Sequence, residues 1–217
     1  MGAQADQVRE DILGRVQDRK LLPGDRVDEQ ELRQRLSLSA TPVREALISL
    51  EASGVIERRP RDGARITSLC LEGLMKMVEV LAETEGSVAY LAARRINPAQ
   101  AETMQKAAQA CMDFATGKAF ENVEYFDLNL DFHRALIAAA GNEYMEQSVY
   151  NTGNRMIAYL AARHDLPGEH LSSAQEHLAI CEAVLASDGD RARRLMIDHV
   201  TFGHAMALDV INMARRA

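Results

Sequence analysis

A short segment near the N-terminus carries an ordered series of structural signals, and this order constrains the fold more than any other feature. Thr41 and Pro42 begin an apolar pattern with helical spacing, since threonine favours the N-cap and proline is tolerated in a first helical turn. The pattern stops at Gly54. Two short β-prone runs, 55–59 and 64–68, flank an Asp-Gly turn. They predict a two-stranded hairpin after the helix.

Two amphipathic patterns precede that helix. Residues 6–20 have apolar positions at helical spacing, and the Leu-Leu-Pro-Gly-Asp segment 21–25 predicts a turn after them. Asp28, followed three residues later by Glu31, resembles a capping box that opens a short helix ending near Leu36. Helix, short helix, turn, helix and hairpin is the order of a winged helix-turn-helix.

The rest of the chain changes character and becomes rich in alanine and methionine, with helical periodicity and no strand signal. Five glycine- or proline-containing breaks divide it into six helices, as expected for a helical bundle. We therefore predict a mainly α protein, with a winged helix-turn-helix over 1–68 and an all-helical domain over 72–217. The breaks lie at Asn97-Pro98, Thr116-Gly117, Gly141-Asn142, Leu166-Pro167-Gly168 and Asp188-Gly189.

The charge distribution is compatible with nucleic-acid binding despite a net charge of −7. The first 68 residues hold 12 basic and 12 acidic side chains, so the whole excess of acid lies after them. Local charge decides whether a surface can neutralise phosphates. Four arginines crowd the hairpin: Arg58, Arg59, Arg61 and Arg65.

Several classes of protein are disfavoured. No apolar run reaches the roughly 18 to 20 residues of a membrane helix, and the polar N-terminus does not resemble a secretory signal. Cys70, Cys111 and Cys181 form no close pair, so we expect reduced thiols rather than a disulfide framework. A cytoplasmic protein is the expectation.

The predicted second helix of the helix-turn-helix offers candidates for base reading. Its first exposed positions are Thr41, Arg44 and Glu45, with Ser39 in the preceding turn. Arginine has the reach and fork geometry to grip a guanine or a phosphate in the major groove. The alternative is that Arg44 and Glu45 are ordinary solvated charges. The hairpin supplies the remaining candidates for backbone or minor-groove contact, which are Arg58, Arg59, Arg61 and Gly63.

These residues form strings that resemble a known family. T-P-V-R-E-A-L at 41–47, L-E-A-S-G-V-I at 50–56 and R-R-P-R-D-G at 58–63 are similar to the GntR family of bacterial regulators. The resemblance implies a homodimer that binds a short palindromic operator, with the candidates above near DNA. Ala40 stands where the family usually has arginine, so the operator sequence is expected to differ from the family's common one.

Histidines in the helical part suggest a metal site. Asn129 and His133 are four residues apart in a helical pattern and therefore project from one face, while His177 and His199 lie on two later predicted helices. Groups converging from facing helices are a usual way to build a metal site in a bundle. Spacing alone is a weak signal, because a single histidine in a bundle is more often packed or at the surface.

A second resemblance strengthens the metal hypothesis. The strings at 132–142, 176–177 and 199–200 look like the FadR-type branch of the family and its FCD sensor domain. Many FCD domains hold a divalent metal by one aspartate and three histidines. Those positions fall here on Asn129, His133, His177 and His199.

The change from aspartate to Asn129 has an expected consequence for the site. Losing a carboxylate makes the site more positive and weakens its affinity for hard cations, while an amide oxygen and three imidazoles still suit zinc or nickel. The positive site should attract an anionic effector. Arg155 is a second candidate for an effector carboxylate, although a surface arginine is an equally good interpretation. Three other histidines match no motif: His164, His170 and His204.

The leading interpretation is a DNA-binding regulator, more often a repressor in this family, that responds to a small carboxylate or sugar acid. A metal-responsive regulator is an alternative, but the cysteines are not placed for high-affinity metal sensing. A small metalloenzyme is a further alternative. It lacks an H-E-x-x-H or comparable motif and leaves the first domain unexplained, so we expect no enzyme.

Overall fold

The computed structural model describes residues 2–59, 62–118 and 124–215. It confirms the predicted mainly α architecture, with ten helices and a three-stranded sheet in this part of the chain. None of the helices described combines the length and apolarity needed to cross a membrane. The chain divides into two compact units, a first unit made of Met1–Leu74, Gly153–Ala162 and Ala207–Ala217, and a second unit made of Met75–Thr152 and Arg163–Met206.

The N-terminal segment of the first unit has the element order of a winged helix-turn-helix. The sheet has the order β1-β3-β2, with both pairs antiparallel. Strand β1 was not predicted, because two residues are too short to show an alternating pattern. The elements are α1 (Ala3–Gln17), β1 (Arg26–Val27), α2 (Glu29–Leu36), α3 (Ala40–Ala52), β2 (Ile56–Arg59) and β3 (Gly63–Ile66).

Helix α3 starts earlier than predicted. Ser39, with extended backbone angles, is the N-cap residue, so Thr41 lies inside the helix and its prediction as N-cap is wrong. Pro42 still falls in the first turn, where its missing N–H costs nothing. The apolar face packs towards α1 and leaves the opposite face exposed. The buried residues of α3 are Pro42, Val43, Ala46, Leu47 and Leu50.

Helix α2 begins as the sequence predicts. The Asp28 side chain accepts hydrogen bonds from the backbone N–H groups of Gln30 and Glu31, which satisfies two donors at the helix start. Helix α3 ends at Ala52, and Gly54 follows with a φ of +72°. The pair of helices α2 and α3 is therefore bounded by a capped helix start and by a glycine after its end.

Seven helices follow in the described part of the chain, one more than predicted. The five predicted breaks all lie at helix ends, and the additional break at 201–203 separates the last two helices. Thr201 adopts an extended conformation there. The helices are α4 (Leu71–Arg95), α5 (Pro98–Ala115), α6 (Tyr125–Ala140), α7 (Glu143–His164), α8 (Glu169–Leu185), α9 (Gly189–Val200) and α10 (His204–Ala214).

The two compact units do not follow the linear division at 68–72. The middle of α7 and most of α10 belong to the first unit. Within that unit the Leu69 backbone N–H donates to the buried Tyr159 hydroxyl at 2.8 Å. The predicted boundary, as a limit between independently folding domains, stays a prediction.

The second unit places the inner faces of four helices together. Helix α5 packs against α6 and α8, and α8 packs against α9. Apolar side chains such as Met104, Phe132 and Ile180 fill the interior. The polar residues buried among them belong to α4, α6, α7, α8 and α9, and they form the candidate site.

Candidate functional site

Three histidines converge inside the second unit. The Nε2 atom of His199 lies 3.2 Å from Nε2 of His177 and 3.3 Å from Nε2 of His133. His177 is fully buried and His199 is 4% exposed. The three candidate ligand atoms lie within 4.8 Å of one another. Helices α6, α8 and α9 thus bring together the three histidines that the sequence predicted; we call them the histidine cluster.

Asn129, the fourth predicted ligand, is buried in the same unit. It lies one turn before His133 on α6, is 5% exposed, and its Oδ1 has no hydrogen-bond partner among the residues that the structure describes. A buried amide oxygen is normally paired, so an unpaired one calls for a ligand or an ion. Asp131, two residues after Asn129, is exposed and pairs with Arg134, so it does not replace the missing aspartate.

Two carboxylates that were not predicted from the sequence contact the outer nitrogens of the histidine cluster. Glu85 Oε2 lies 2.5 Å from Nδ1 of His133, and Glu176 Oε2 lies 2.7 Å from Nδ1 of His199. A ring whose Nδ1–H donates to a carboxylate is held as the tautomer with a lone pair at Nε2. The Nε2 atoms of both rings therefore face the centre as acceptors.

This arrangement is suited to a cation. Two neutral rings whose Nε2 lone pairs face each other at 3.3 Å repel unless a positive centre lies between them. A tetrahedral zinc ion with Zn–N bonds of about 2.0–2.1 Å would place its nitrogens about 3.3 Å apart. Three imidazoles and one amide oxygen suit borderline metals such as zinc or nickel. The residues present thus fit a divalent ion.

Burial favours the neutral form of His177 and His199. It lowers the pKa of His177 well below its usual value, and the charges of neighbouring histidines lower it further. Burial also lowers the pKa of His199, although the bond with Glu176 opposes this. Burial would raise the pKa of Glu176, but its bond with His199 lowers it overall. Neutral imidazoles are the form that binds metal.

His177 is held differently from the other two histidines. Its ring stacks on Phe132 with a centroid distance of 4.0 Å and an interplanar angle of 23°. Its Nδ1 finds no hydrogen-bond partner within the described residues. Apolar stacking therefore orients this ring in place of a carboxylate.

A second group of polar atoms lies one helical turn from the cluster. Tyr125 is four residues before Asn129 on α6, and Ser173 is four residues before His177 on α8. The Tyr125 hydroxyl, Ser173 Oγ and His164 Nδ1 are all buried, and within the described ranges none has a hydrogen bond of good geometry, although the Ser173 side chain interacts with the Tyr125 hydroxyl. We call Tyr125, His164 and Ser173 the polar layer.

Aromatic contacts hold this layer together. The rings of Tyr125 and His164 have centroids 5.2 Å apart, and His170 stacks on Tyr125 at 4.4 Å. Burial raises the pKa of Tyr125, which keeps its hydroxyl protonated and able to donate. Two of the histidines that matched no sequence motif therefore surround a buried tyrosine, whereas His204 is exposed.

The predicted effector residue Arg155 does not belong to the second unit. It lies in the first unit, where its guanidinium packs so closely on Gly54 that an added Cβ there would meet Nε at 2.6 Å. A different arginine is buried in the second unit: Arg163, 9% exposed, donates to the backbone carbonyl of His199 at 2.8 Å and pairs with Glu169.

The DNA-reading candidates on α3 lie at its start. Ser39, Thr41 and Arg44 are exposed. Arg44 Nε bonds to Glu29 Oε1 at 3.0 Å, and both side chains retain substantial exposure, at 66% and 35%. Exposed ion pairs of this kind contribute little stability, so the guanidinium is easily released.

The hairpin candidates lie where β2 ends and β3 begins. Arg58 is exposed and pairs with Glu51 at 2.8 Å, and the backbone of Arg59 faces Gly63 in the sheet register. Gly63 has a φ of +80°, a conformation that favours glycine. Arg61 lies outside the described residues.

Comparison with known proteins agrees with this architecture. Residues 4–66 match the family of bacterial regulatory proteins called the gntR family, and residues 76–202 match the FCD domain. The chain is 30% identical over 197 residues to a Paenarthrobacter nicotinovorans protein named "Probable D-xylose utilization operon transcriptional repressor", covering 90% of this chain and 85% of that protein. It is 27% identical over 183 residues to the transcriptional repressor RspR of Escherichia coli K12, covering 83% of this chain and 78% of the repressor.

Solved structures show the same fold. E. coli McbR/YncC superposes with a TM-score of 0.80 at 20% identity, covering 92% of this chain and 94% of that one. A GntR-type protein from Rhodococcus sp. RHA1 superposes with a TM-score of 0.70 at 17% identity, covering 95% and 98%. With an FCD match over more than half its length and a relative at 30% identity, the chain belongs to the GntR family of transcriptional regulators, with a C-terminal FCD domain.

Proposed function

We propose that the protein is a cytoplasmic repressor that binds a palindromic operator as a homodimer and releases it when a small hydroxylated carboxylate binds at a metal ion in the second unit. The observation that carries the metal-dependent part is the convergence of three Nε2 atoms, with spacings of 3.2 and 3.3 Å from that of His199. Asn129, one helical turn from His133, has an Oδ1 with no hydrogen-bond partner within the described residues. The names of the relatives support repression.

The exposed start of α3 supports direct base reading. A recognition helix presents its N-terminal residues to base edges, and Arg44 can exchange its bond with Glu29 for a guanine or phosphate. Ser39 and Thr41 are exposed beside it and can donate to phosphates. Arg58, Arg59, Arg61 and Gly63 are the proposed wing contacts.

The metal would be held by Asn129, His133, His177 and His199, with zinc or nickel as the favoured ions. When bound, it supplies a Lewis-acidic point at which an effector carboxylate can bind. The polar layer then offers hydroxyl and imidazole groups to the rest of the effector, one helical turn away. Hydroxyl groups on the effector would satisfy these buried atoms, which favours a sugar acid over a plain fatty acid. The sugar operon named for one relative agrees with this class.

The proposed regulation requires differential binding. An effector releases DNA only if it binds the DNA-incompetent arrangement more tightly than the competent one. The proposal therefore needs two measurements, one on DNA and one on metal and effector.

DNA binding is tested by selection from a random pool of duplexes. The wild-type protein should enrich a palindrome, and Arg44→Ala should bind it about 5- to 150-fold more weakly, since a bidentate contact contributes about 1–3 kcal/mol. Arg194→Ala, which removes an exposed arginine from α9, is the matched control and should bind normally. Equal binding by both variants would remove Arg44 from the interface.

The sensing part is tested by metal analysis and effector titration. Purified protein should hold about one zinc or nickel per chain, and His133→Ala should lose it and the response to sugar acids while still binding the selected DNA. Fluorescence anisotropy of labelled operator measures the response. DNA binding that depends on the metal alone would favour the metal-responsive alternative. A normal effector response in His133→Ala would exclude the cluster from sensing.

A further inference from the structure

Asn129 and the histidine cluster together offer four neutral metal ligands, yet two acidic side chains contact the cluster from outside. Asn129 and the three histidines bring no charge, whereas Glu85 and Glu176 each bond to the outward nitrogen of one ring. Glu85 is 6% exposed, so its charge is costly unless a positive centre lies nearby. We infer that Glu85 and Glu176 supply, through His133 and His199, the negative charge that balances a divalent ion. This inference rests on the metal site of the proposed function.

The balance of nearby charges agrees with this role. Arg163, the buried arginine of the second unit, is already paired with Glu169 at 3.0 Å and contributes no net charge. A divalent ion together with two carboxylates then makes a nearly neutral centre. A bound metal would withdraw electrons from each ring and make its Nδ1–H a stronger hydrogen-bond donor to the carboxylate. Metal binding and the hydrogen bond to the carboxylate would therefore strengthen each other.

This alters the expectation drawn from the sequence. Asn129 was expected to leave the site more positive and so to attract an anion by its net charge. With Glu85 and Glu176 in contact with the ligands, that excess charge is largely compensated. An effector would then bind by adding its carboxylate to the ligands of the ion and by contacting the polar layer, and a monoanion suffices.

The test is the zinc affinity of charge-neutral variants, measured by competition with a chromogenic chelator. Glu85→Gln and Glu176→Gln should each bind zinc about 10- to 100-fold more weakly than the wild type. The matched controls are Glu79→Gln on α4 and Glu182→Gln on α8, both exposed, and they should bind as the wild type does. If the buried Glu85→Gln fails to fold, Glu176→Gln, whose carboxylate side chain is 39% exposed, carries the test.

A rescue experiment separates charge from structure. Adding Asn129→Asp to either weakened variant should recover at least tenfold of the lost affinity, because it returns one negative charge to the centre. The visible spectrum of the cobalt-loaded proteins should show that the donor set is retained. A purely structural role of the two glutamates predicts that Asn129→Asp raises zinc affinity by the same factor in the weakened variants as in the wild type, whereas the charge role predicts a larger gain in the variants.

The outcomes distinguish this inference from the function it rests on. A wild-type protein that binds no zinc, nickel or cobalt overturns the proposed metal site and the inference together. A wild type that binds zinc while both glutamine variants bind it within threefold overturns only the role of the glutamates. Weak binding in the variants, with no larger gain from Asn129→Asp than the wild type shows, also overturns the charge role and leaves the metal site standing.

Discussion

Individual glycines test how tightly residues in the first unit are fixed. Gly54 has a φ of +72°, and an added Cβ would meet the Arg155 guanidinium at 2.6 Å. Gly54→Ala should therefore lower the free energy of unfolding by about 1–2 kcal/mol, the usual penalty for a left-handed alanine. Urea denaturation followed by circular dichroism measures this value.

Gly14 is the matched control. It lies inside α1, and an added Cβ would have no atom within 4 Å apart from its chain neighbours and the nearby backbone of its own helix. Gly14→Ala should raise the free energy of unfolding by about 0.5–1 kcal/mol, because alanine favours a helix interior. Equal effects of the two substitutions would show that neither the backbone conformation nor Arg155 constrains Gly54.

A single buried histidine should make stability depend on pH. Burial lowers the pKa of His164 well below its usual 6.5, and the charge of Arg163 lowers it further. Between these two pKa values the unfolded chain binds more protons than the folded chain, so stability rises with pH and is lost as the pH falls below 6.5. The slope reaches about 1.4 kcal/mol per pH unit for each such group.

The measurement is the urea midpoint of metal-free protein at pH 7.5 and pH 5.5. The wild-type midpoint should fall at the lower pH, and His164→Asn should reduce this fall. His204→Asn, which changes an exposed histidine on α10, should leave it unchanged. A wild-type fall that His164→Asn does not reduce would assign the pH dependence to other groups.

Site residues were predictable where a local motif marks them. The four proposed ligand positions were predicted from a resemblance and from the four-residue spacing of Asn129 and His133, and the structure brings the three histidines together. Glu85 escaped, because it lies 48 positions before the histidine it contacts and no local pattern links them. Arg155 was selected as an isolated arginine on a helix, a pattern that does not reveal which unit its side chain joins.

At the scale of elements, helix starts carry a measurable part of the stability. The side chain of Asn97 accepts from the Gln100 backbone, and that of Gln100 accepts from the Asn97 backbone, so the two satisfy each other's donors at the start of α5. Asn97→Ala should lower the free energy of unfolding of the second unit by about 1 kcal/mol. Asn212→Ala, at an exposed position within α10, should not lower stability, because alanine favours a helix interior.

Elements were predictable in proportion to the strength of their end signals. All five glycine- or proline-marked breaks are helix ends, and Asp28 caps α2. The break at 201–203 was missed, because its glycine follows Phe202, whereas the single glycines of the predicted breaks without proline stand beside Thr, Asn or Asp, which favour turns and caps. Strand β1 forms because Arg26 and Val27 pair with β3. This pairing is a long-range contact, and a segment of two residues carries no local pattern from which it could be predicted.

At the scale of the whole molecule, the sequence suggests two consecutive domains, whereas the compact units are not continuous in sequence. Most of α10 belongs to the first unit, and it buries Ala207, Val210, Ile211 and Ala214. Every residue of the histidine cluster belongs to the second unit. Removing α10 should therefore lower the stability of the first unit and leave metal binding by the second unit unchanged.

We predict that a chain ending at Gly203 has a first unit destabilised by about 3–6 kcal/mol, the effect of exposing several apolar side chains. Hydrogen exchange, read by mass spectrometry on peptides from α1 and α3, should show a large loss of protection. Zinc affinity should stay within about threefold of that of the full chain, because the four proposed ligands and both glutamates remain. If residues 1–68 instead fold independently, as the sequence suggests, then α1 and α3 will keep their protection in the shortened chain, and the non-contiguous first unit will have no energetic meaning.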